Sequence, residues 1–438
     1  MTMWPDSDSA SAKLYARAEQ VEPGGINRLQ TWQEPFPVYA ASGAGAYVTD
    51  VDGVRRLDLA NNFASLMHGH AHPAITAAVT EQIARGSCFI LPTESEIFLA
   101  ELLCARVEGF ERVRFCNTGT EAVMIALKAA RARTGRPKIA KLEGAYHGMY
   151  DFAEISLDSG PETWGNVPRS VPYTQGVPKG VIEDTVVIPY NDTDAAARIL
   201  RGQGPEIAGI LIDPVSLSCG MIPLEQNFID MVQAVAAETG ALVIFDEVVT
   251  FRLGPQGAQG LYGAKPDLTT LGKIVGGGFP VAAIAGHAEA MGVFDHRAGK
   301  PLNPSSGTFT ANPVGMTAGR IALELMTEAE YARMDALGER ARAGLRAAMD
   351  EAGYPGQVAG LGSMFRIHTS ARPMKTYRDT FPTPAEAEAT TKLQRDLLLA
   401  GFITTTKGCF ISTPTTEADI DAFVEAAKGC FAKLATAA

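Results

Sequence analysis

The stretch A-L-V-I-F-D-E-V, residues 241–248, decides how this chain folds. Its apolar residues run directly into Asp246, which is the pattern of a buried parallel strand that ends in a carboxylate. In an open parallel sheet, ligands bind just beyond the carboxyl ends of the strands. Asp246 therefore either points at a ligand or caps the following turn, and this stretch alone leaves both interpretations open.

The same pattern recurs on both sides of this strand. From about residue 73 onward, short β-branched runs alternate with helical periods, such as those at Thr120–Arg133 and Phe228–Glu238. Strands that alternate with helices predict an α/β fold with a mainly parallel, doubly wound sheet. The strands that we predict for this sheet are Val113–Cys116, Lys138–Leu142, Thr185–Ile188, Ile207–Ile212 and Ala241–Phe245.

The two ends of the chain predict a second, smaller α/β unit. Near the N-terminus we predict a helix at 8–21 and then strands at Val38–Ala40, Ala46–Asp50 and Arg55–Leu59, the last two joined by a D-G turn. The C-terminal part predicts a long helical stretch at 312–352, two strands at Val358–Gly360 and Ser363–Ile367, and two further helices at 383–399 and 417–433.

These patterns divide the chain into three parts. We expect an N-terminal segment at 1–65 that joins the small domain, a large domain at 66–310 and a C-terminal small domain at 311–438. The Pro-rich segment 155–182 is predicted to be a long loop at the active site or at an interface, because structureless loops of that size are otherwise uncommon.

Composition excludes several functions. The chain has 438 residues and a formal charge of −11, which argues against a nucleic-acid surface and against binding to an anionic membrane. No apolar run approaches the roughly 20 residues of a membrane helix. Residues 1–13 do not have the pattern of a signal peptide. The six scattered cysteines form no C-x-x-C pair, so we expect a reduced, cytoplasmic protein.

A second stretch, D-L-T-T-L-G-K-I-V-G-G-G at 267–278, places Lys273 between an apolar run and three glycines. A lysine beside glycines is most often a solvated loop residue. Here both flanks are apolar, and loss of water lowers the pKa of a lysine and makes its amine nucleophilic. The stretch is not a Walker A loop, because G-x-x-x-x-G-K-[ST] is absent.

Two further stretches fall at predicted strand ends. F-C-N-T-G-T-E-A at 115–122 predicts a tight turn into a helix start, which suits a phosphate, although an ordinary N-cap by Thr120 is equally compatible. G-A-Y-H-G at 144–148 places Tyr146 and His147 just after a strand. A tyrosine ring there can stack on a flat heterocycle, or both residues can simply pack in the core.

Together the four stretches predict a pyridoxal-phosphate (PLP) site. A PLP enzyme needs a lysine for a Schiff base, an acid for the pyridinium nitrogen, a cup for the phosphate and a clamp for the ring. One crossover and one strand separate Asp246 from Lys273, and all four parts lie at the strand ends of one predicted sheet. This combination is far more specific than any single stretch.

The chain resembles the class-III aminotransferases, which have the fold-type I PLP-dependent transferase fold. The resemblance rests on N-T-G-T-E-A, A-Y-H-G, F-D-E-V-V-T, L-G-K-I-V-G-G-G-F-P-V-A-A and G-T-F-T-A-N-P, and it extends from Pro23-Gly24-Gly25 to the C-terminal helix. It is closest to the branch that contains glutamate-1-semialdehyde aminomutase and the β-amino-acid (β-phenylalanine) aminotransferases. It implies a large PLP-binding domain with a smaller α/β domain.

The resemblance also implies roles for individual residues. Lys273 would carry PLP as a Schiff base, and Asp246 would pair with the pyridine nitrogen. Thr308 would reach the phosphate bound by the neighbouring subunit, which implies a homodimer with shared active sites. The cofactor contacts implied by the resemblance are Thr118, Gly119, Thr120, Tyr146, His147, Val248 and Thr308.

Several positions depart from the family pattern or bear on the substrate. Asp213 stands where the family usually has glutamate, and Val249 stands where many members have glutamine. Arg28 matches one of the two arginines that bind substrate carboxylates in the β-amino-acid branch, whereas the second position is Lys407. Lysine binds a carboxylate without the bidentate fork of arginine. Trp32 indicates a bulkier or aromatic substrate.

The G-H-x-H-P turn at 69–73 also matches the family, and we interpret its histidines as structural, because no acidic or cysteine ligand set accompanies them. No metal site is therefore expected.

We expect an aminotransferase that moves an amino group from an amine or a (β-)amino acid to a keto acid by a ping-pong mechanism. The nearest alternative is glutamate-1-semialdehyde 2,1-aminomutase, which moves the amino group within one substrate. The L-G-K-I-V-G-G-G-F-P-V stretch fits that enzyme well, whereas Trp32 and the 401–414 segment fit it less well. A regulator with this fold but without turnover is a further alternative, although such regulators carry a basic N-terminal DNA-binding domain that this chain lacks.

Overall fold

The computed structural model describes residues 3–297 and 299–437. Residues 1–2, which open the expected N-terminal segment, and residue 438, which closes the expected C-terminal domain, lie outside the described residues. The strands, numbered β1 to β16 along the chain, are Ala40–Ala44, Tyr47–Asp50, Arg55–Asp58, Arg112–Cys116, Lys138–Leu142, Thr185–Ile188, Ile207–Ile212, Val215–Ser216, Ile222–Pro223, Leu242–Asp246, Leu268–Leu271, Ala282–Gly286, Gln357–Ala359, Met364–His368, Phe402–Ile403 and Cys409–Phe410.

A seven-stranded sheet forms the centre of the molecule, with strand order β4-β12-β11-β10-β7-β5-β6. The pairs from β11 to β6 are parallel, and only β12 runs antiparallel to both of its neighbours. This arrangement confirms the predicted α/β class and the mainly parallel sheet.

Helices cover both faces of this sheet, which explains why a central strand such as Ile207–Ile212 is apolar and buried along its whole length. On one face Ile244 packs in a cluster with Leu127 of the helix Gly119–Thr134. On the other face Phe245 packs in a cluster with Phe228 of the helix Gln226–Thr239. The alternating strand residues therefore serve two separate cores.

The helical elements are longer α-helices, short α-helices and 3₁₀ turns. The longer α-helices are Ala10–Ala18, Pro73–Arg85, Glu94–Arg106, Gly119–Thr134, Thr193–Gln203, Gln226–Thr239, Pro313–Leu325, Glu328–Ala352, Pro384–Leu399 and Glu417–Ala437. The short ones are Asn61–Ala64, Asp151–Glu154, Lys179–Glu183, Gly257–Tyr262 and Ala288–Met291. The 3₁₀ turns are Pro23–Gly25, Leu29–Thr31, Gly204–Glu206, Thr250–Leu253, Lys273–Gly276, Gly292–Phe294 and Arg378–Thr380.

The N-terminal strands and the C-terminal part form two smaller sheets. The first has the order β1-β2-β3-β15, so that a strand of the C-terminal part, Phe402–Ile403, pairs in parallel with Arg55–Asp58. The second has the order β13-β14-β16. The predicted D-G turn is present between β2 and β3, where Gly53 adopts a positive φ of 84°.

Some element boundaries were predicted wrongly. The strand expected at Val38–Ala40 lies instead at Ala40–Ala44, because it pairs with β2 across a turn at Gly45. The helical stretch at 312–352 is two helices, and Thr327 caps the second by accepting a hydrogen bond from the N–H of Glu330. Strand β12 was missed. It reads A-A-I-A-G, and these small residues carry little strand preference although all five are buried.

Within residues 3–297 and 299–437, no helix is both long and apolar enough to cross a membrane.

Candidate active site

A cavity of about 460 Å³ opens beyond the carboxyl ends of the central strands. Such a position is the usual ligand site of an open α/β sheet. The cavity is lined by Asn62, Ser65, Asn117, Thr118, Gly119, Thr120, Val123, Tyr146, His147, Gly148, Asp213, Asp246, Val248, Val249, Lys273, Gly278, Phe279, Pro280 and Val281. The four stretches singled out in the sequence therefore meet in one place.

Asp246 is the last residue of β10, and its buried carboxylate accepts three hydrogen bonds. The donors are Nδ1 of His147 at 2.7 Å, Oγ1 of Thr270 at 3.1 Å and the N–H of Val248 at 3.0 Å. Thr270 lies opposite Asp246 in the parallel register of β10 and β11. These donors stabilise the ionised carboxylate and fix its direction.

His147 lies beside Asp246 with its side chain fully buried. Burial lowers the pKa of this imidazole, although the neighbouring Asp246 opposes the shift. A neutral ring that donates from Nδ1 to Asp246 leaves Nε2 as an acceptor, and Nε2 is buried without a hydrogen-bond partner among the described residues. His147 thus reaches Asp246 directly, a contact that the sequence could not reveal.

Lys273 follows β11 and begins a 3₁₀ turn, with a positive φ of 51°. A non-glycine residue in this left-handed region costs about 1 kcal/mol, and such strain concentrates at functional sites. Burial lowers the pKa of the Lys273 amine, whereas the carboxyl groups of Asp246 and Asp213 raise it. The net lowering increases the neutral, nucleophilic fraction of the amine.

Asp213 directly follows β7, as Asp246 ends β10. Ile212 is paired with Phe245 in the parallel register, so the two acids lie side by side at the edge of the cavity. Burial and the charge of Asp246 raise the pKa of Asp213 well above its usual range. Two adjacent buried carboxyl groups do not both ionise readily, so Asp213 holds its proton more strongly than a free aspartic acid does.

The turn before helix Gly119–Thr134 is built as an anion site. Thr118 is the N-cap, since its Oγ1 accepts from the N–H of Glu121 at 3.1 Å, so the suggested cap by Thr120 was wrong. The Glu121 carboxylate in turn accepts from the N–H of Asn117 at 2.7 Å. The N–H groups of Gly119 and Thr120, in the first turn, have no intrahelical acceptor and remain available for a ligand.

Val248 and Tyr146 both line the cavity. A side chain at Gly119 would place its Cβ 3.1 Å from Cγ1 of Val248, so glycine allows a close approach that another residue would make tight. Tyr146 is 49% exposed, and its backbone N–H donates to Oγ of Ser218 at 2.9 Å.

Four of the residues predicted for the site do not line this cavity in the single chain. Arg28 is exposed, and its guanidinium donates to Oδ1 of Asn62 at 2.9 Å. Because Asn62 lines the cavity, Arg28 lies just outside the cavity. Trp32 packs against Tyr15, with ring centroids 5.5 Å apart. Thr308 is exposed on a loop, and Lys407 lines a separate cavity.

The backbone conformation at Asn62, the hydrogen-bond partner of Arg28, was not predictable from the sequence. The four consecutive residues Asn61, Asn62, Phe63 and Ala64 all have positive φ angles, between 44° and 71°. A left-handed turn of non-glycine residues is unfavourable at each position, and it persists here at the edge of the cavity.

The fold and the site together define a PLP-dependent enzyme of the fold-type I group. An amine, a buried acid with fixed geometry and a helix start with free N–H groups line one cavity, and this donor set fits the aldehyde, ring nitrogen and phosphate of PLP. The buried Nε2 of His147, which has no hydrogen-bond partner among the described residues, fits the same ligand.

The chain belongs to the class-III aminotransferases, whose family pattern matches residues 29–424. A glutamate-1-semialdehyde 2,1-aminomutase of Methanothermobacter thermautotrophicus is 39% identical over 427 residues, covering 95% of this chain and 98% of that protein. The crystal structure of an omega-transaminase from Sphaerobacter thermophilus is 45% identical with a TM-score of 0.96, covering 98% and 99% of the two chains. A β-phenylalanine aminotransferase from Variovorax paradoxus is 33% identical with a TM-score of 0.87, covering 97% and 94%. The predicted family and the PLP dependence are thereby confirmed.

Proposed function

We propose that this protein is an aminotransferase that moves an amino group from an amine or a (β-)amino acid to a keto acid in two half-reactions. The observation that carries the proposal is the convergence of Lys273, Asp246 and the helix start at Gly119 on one cavity. Similarity to an omega-transaminase at 45% identity supports transfer between two substrates.

Several residues that line the cavity have a defined part in this proposal. PLP, when bound, supplies an aldehyde that takes up the amino group and a ring that accepts negative charge. Asp246, held by its three donors, would keep the proton on the ring nitrogen. Lys273 would hold the aldehyde until a substrate amine replaces it.

Once replaced, Lys273 would be the base of the reaction. Burial lowers the pKa of its amine, which favours the neutral form that would take the proton from the amine-bearing carbon of the substrate. Val248 and Tyr146 would hold the ring between them, with His147 fixing Asp246. The phosphate would bind at Thr118, Gly119 and Thr120.

We also propose a homodimer in which each chain completes the site of its partner. Thr308 is exposed and does not line the cavity of its own chain, as a residue that serves a partner would be. The apolar side chains of Phe89, Ile90 and Leu91 are also exposed, Ile90 completely. A contiguous apolar segment of this kind usually marks a protein interface.

The domain division belongs to the same proposal. We place an N-terminal segment at 1–65, the PLP-binding domain at 66–310 and a small domain at 311–438. The pairing of Phe402–Ile403 with Arg55–Asp58 supports the joining of the two terminal parts.

The decisive experiment is turnover by the purified protein loaded with PLP. Incubation with an amine donor and pyruvate should form alanine in stoichiometric amounts with the oxidised donor. Lys273→Ala should lose both the visible absorbance of the lysine-bound cofactor and turnover. Full transamination by that variant would refute the assignment.

The second candidate is glutamate-1-semialdehyde 2,1-aminomutase. Curated relatives with that name include those from Methanothermobacter thermautotrophicus and Symbiobacterium thermophilum, at 39% and 38% identity. Conversion of glutamate-1-semialdehyde to 5-aminolevulinate without a second substrate, and no alanine from pyruvate, would decide for the aminomutase.

A further inference from the structure

Lys141 is a fully buried lysine in the central sheet, outside the cofactor cavity. It lies in β5, and its side chain is as inaccessible to solvent as those of Ile139, Ala140 and Leu142 in the same strand. An ammonium group among apolar side chains is unfavourable unless its contacts compensate for the loss of water. The contacts of Lys141 therefore indicate what it does.

The ammonium of Lys141 closes a segment of the chain that reaches the cofactor cavity. Its Nζ donates to the carbonyl oxygen of Leu142 at 3.0 Å and to that of Ile155 at 2.8 Å. These two carbonyls flank the segment 143–154, which carries His147 to the cavity wall. Lys141 thus fixes the two ends of this segment relative to each other.

The charge of Lys141 is only partly balanced inside the protein. Glu143 and the thiol of Cys219 are the neighbours that favour its ammonium form. The Glu143 carboxylate is held by Nε and Nη2 of Arg378 at 2.9 and 3.0 Å, and burial raises the pKa of Cys219 to about 12, so that its thiol is neutral at pH 7. Burial lowers the pKa of Lys141 to about 8, and its amine therefore remains mostly protonated at pH 7.

His147 is the group of the cavity on which this charge acts. Burial lowers the pKa of His147, Asp246 raises it, and the positive charge of Lys141 lowers it further. Nδ1 of His147 donates to Asp246 at 2.7 Å, so a protonated imidazole would share the charge of this carboxylate. Asp246 would then hold the ring nitrogen of PLP less strongly.

The other titratable groups that line the cavity with His147 do not replace this effect. They are Asp213, Lys273 and Tyr146. Burial raises the pKa values of Asp213 and Tyr146, which favours their neutral forms, and Lys273 would be bound to PLP. Among the described residues, Asp246 and Lys141 therefore remain as the charges that act on His147.

We infer that Lys141 is a positioning residue of the proposed aminotransferase: its ammonium closes the segment that carries His147, and its buried charge keeps that ring neutral beside Asp246. The charge of Asp246 is then directed at the ring nitrogen of PLP and is not shared with the imidazole. This inference rests on the proposed function, because that function assigns Asp246 to the cofactor.

Spectral titration with PLP at two pH values tests this role. Lys141→Gln keeps an N–H donor for the carbonyls and removes the charge. We expect its PLP affinity to lie within about threefold of that of the unmodified protein at pH 8 and to be about tenfold weaker at pH 5.5, because His147 takes up a proton there. The absorbance of the bound cofactor should change over the same pH range. A residue that only pins the backbone would weaken binding by the same factor at both pH values.

Three further variants complete the comparison. Lys141→Arg keeps the charge and should restore the pH dependence of the unmodified protein. Lys138→Gln is the matched control and should bind PLP normally at both pH values, because Lys138 lies in the same strand but donates to Glu206 at 2.6 Å and Gln203 at 3.2 Å. If Lys141→Gln does not fold, Lys141→Met replaces the buried charge by an apolar chain, a change that proteins often tolerate, and it should show the same loss at pH 5.5.

A double variant identifies the titrating group. When Lys141→Gln is added to His147→Leu, no loss specific to pH 5.5 should follow, since no imidazole remains beside Asp246. A loss of equal size at both pH values in Lys141→Gln, or a loss at pH 5.5 that persists without His147, would overturn the inference.

The unmodified protein separates this result from failure of the proposed function. If its cofactor absorbance responds to an amine donor but Lys141→Gln shows no dependence on pH, the function stands and the role of Lys141 is lost. If its absorbance does not respond to amines, the proposed function itself fails.

Discussion

Asp213 and Asp246 lie side by side at the ends of neighbouring parallel strands, where Asp246 accepts from the side chains of His147 and Thr270 and Asp213 accepts from the N–H of Val215. Burial and the charge of Asp246 raise the pKa of Asp213 well above its usual range. Asp213 is therefore the acid of this pair that we expect to keep its proton.

Asp213→Asn should have little effect, because it replaces one neutral group by another of the same shape. We expect its kcat and its PLP affinity to change by less than about threefold, whereas Asp246→Asn should lose about 100-fold or more, since it removes a partly buried charge pair. Spectral titration with PLP and steady-state rates measure both. A loss of similar size in the two variants would contradict a neutral Asp213.

His147→Leu should weaken the cofactor site through Asp246. The variant removes the 2.7 Å hydrogen bond from Nδ1, and a hydrogen bond to a charged group contributes about 1.5–3 kcal/mol. We expect PLP to bind roughly 10- to 100-fold more weakly. The ring nitrogen of the bound cofactor should also lose its proton at a lower pH. Thr270→Val removes the longer bond of 3.1 Å and should have a smaller effect of the same kind. An unchanged cofactor spectrum in His147→Leu across the pH range would show that the imidazole only fills space.

The sequence predicted most of this site because its parts lie at strand ends. Apolar runs identified the strands that end at Cys116, Leu142 and Asp246, and parallel pairing brings such ends together. Contacts that depend on pairing register, such as those of Asp213 and Thr270 with Asp246, were not predictable from the sequence. Strand β12 was missed because its small residues are strand-forming only when buried between neighbours.

Residues outside the four stretches were harder to predict than the stretches themselves. Arg366 lies in a strand far along the chain from the four stretches, and only the pairing of β14 with β16 brings it next to Lys407. The left-handed turn at Asn61–Ala64 contains no glycine, so its residue types did not predict positive φ angles.

Ile90→Glu should dissociate the proposed dimer. The side chain of Ile90 is fully exposed in the single chain, and a charge there would be buried without a partner in an apolar interface. Sedimentation should show a monomer with a weaker affinity for PLP, because Thr308 of the partner would be lost. Val21→Glu is the control, since Val21 is also apolar and 82% exposed but lies beside the N-terminal helix. A dimer of unchanged stability in Ile90→Glu would place the interface elsewhere.

His368 should make the protein less stable in mild acid. Its buried ring donates to the carbonyl of Gly220 at 2.8 Å, and burial together with Arg366 lowers its pKa to about 4. The unfolded chain titrates this histidine near pH 6.5, so between pH 6.5 and 4 the unfolded state binds the additional proton and stability falls as the pH falls. The neutral, buried His368 contributes about 3 kcal/mol to the free energy of unfolding above pH 6.5. All of this stabilisation is lost by about pH 4. Denaturant unfolding at pH 7 and at pH 4.5 should therefore show a larger loss in the unmodified protein than in His368→Gln, which keeps an N–H donor but does not titrate. Equal losses in the two proteins would mean that His368 is protonated in the folded state.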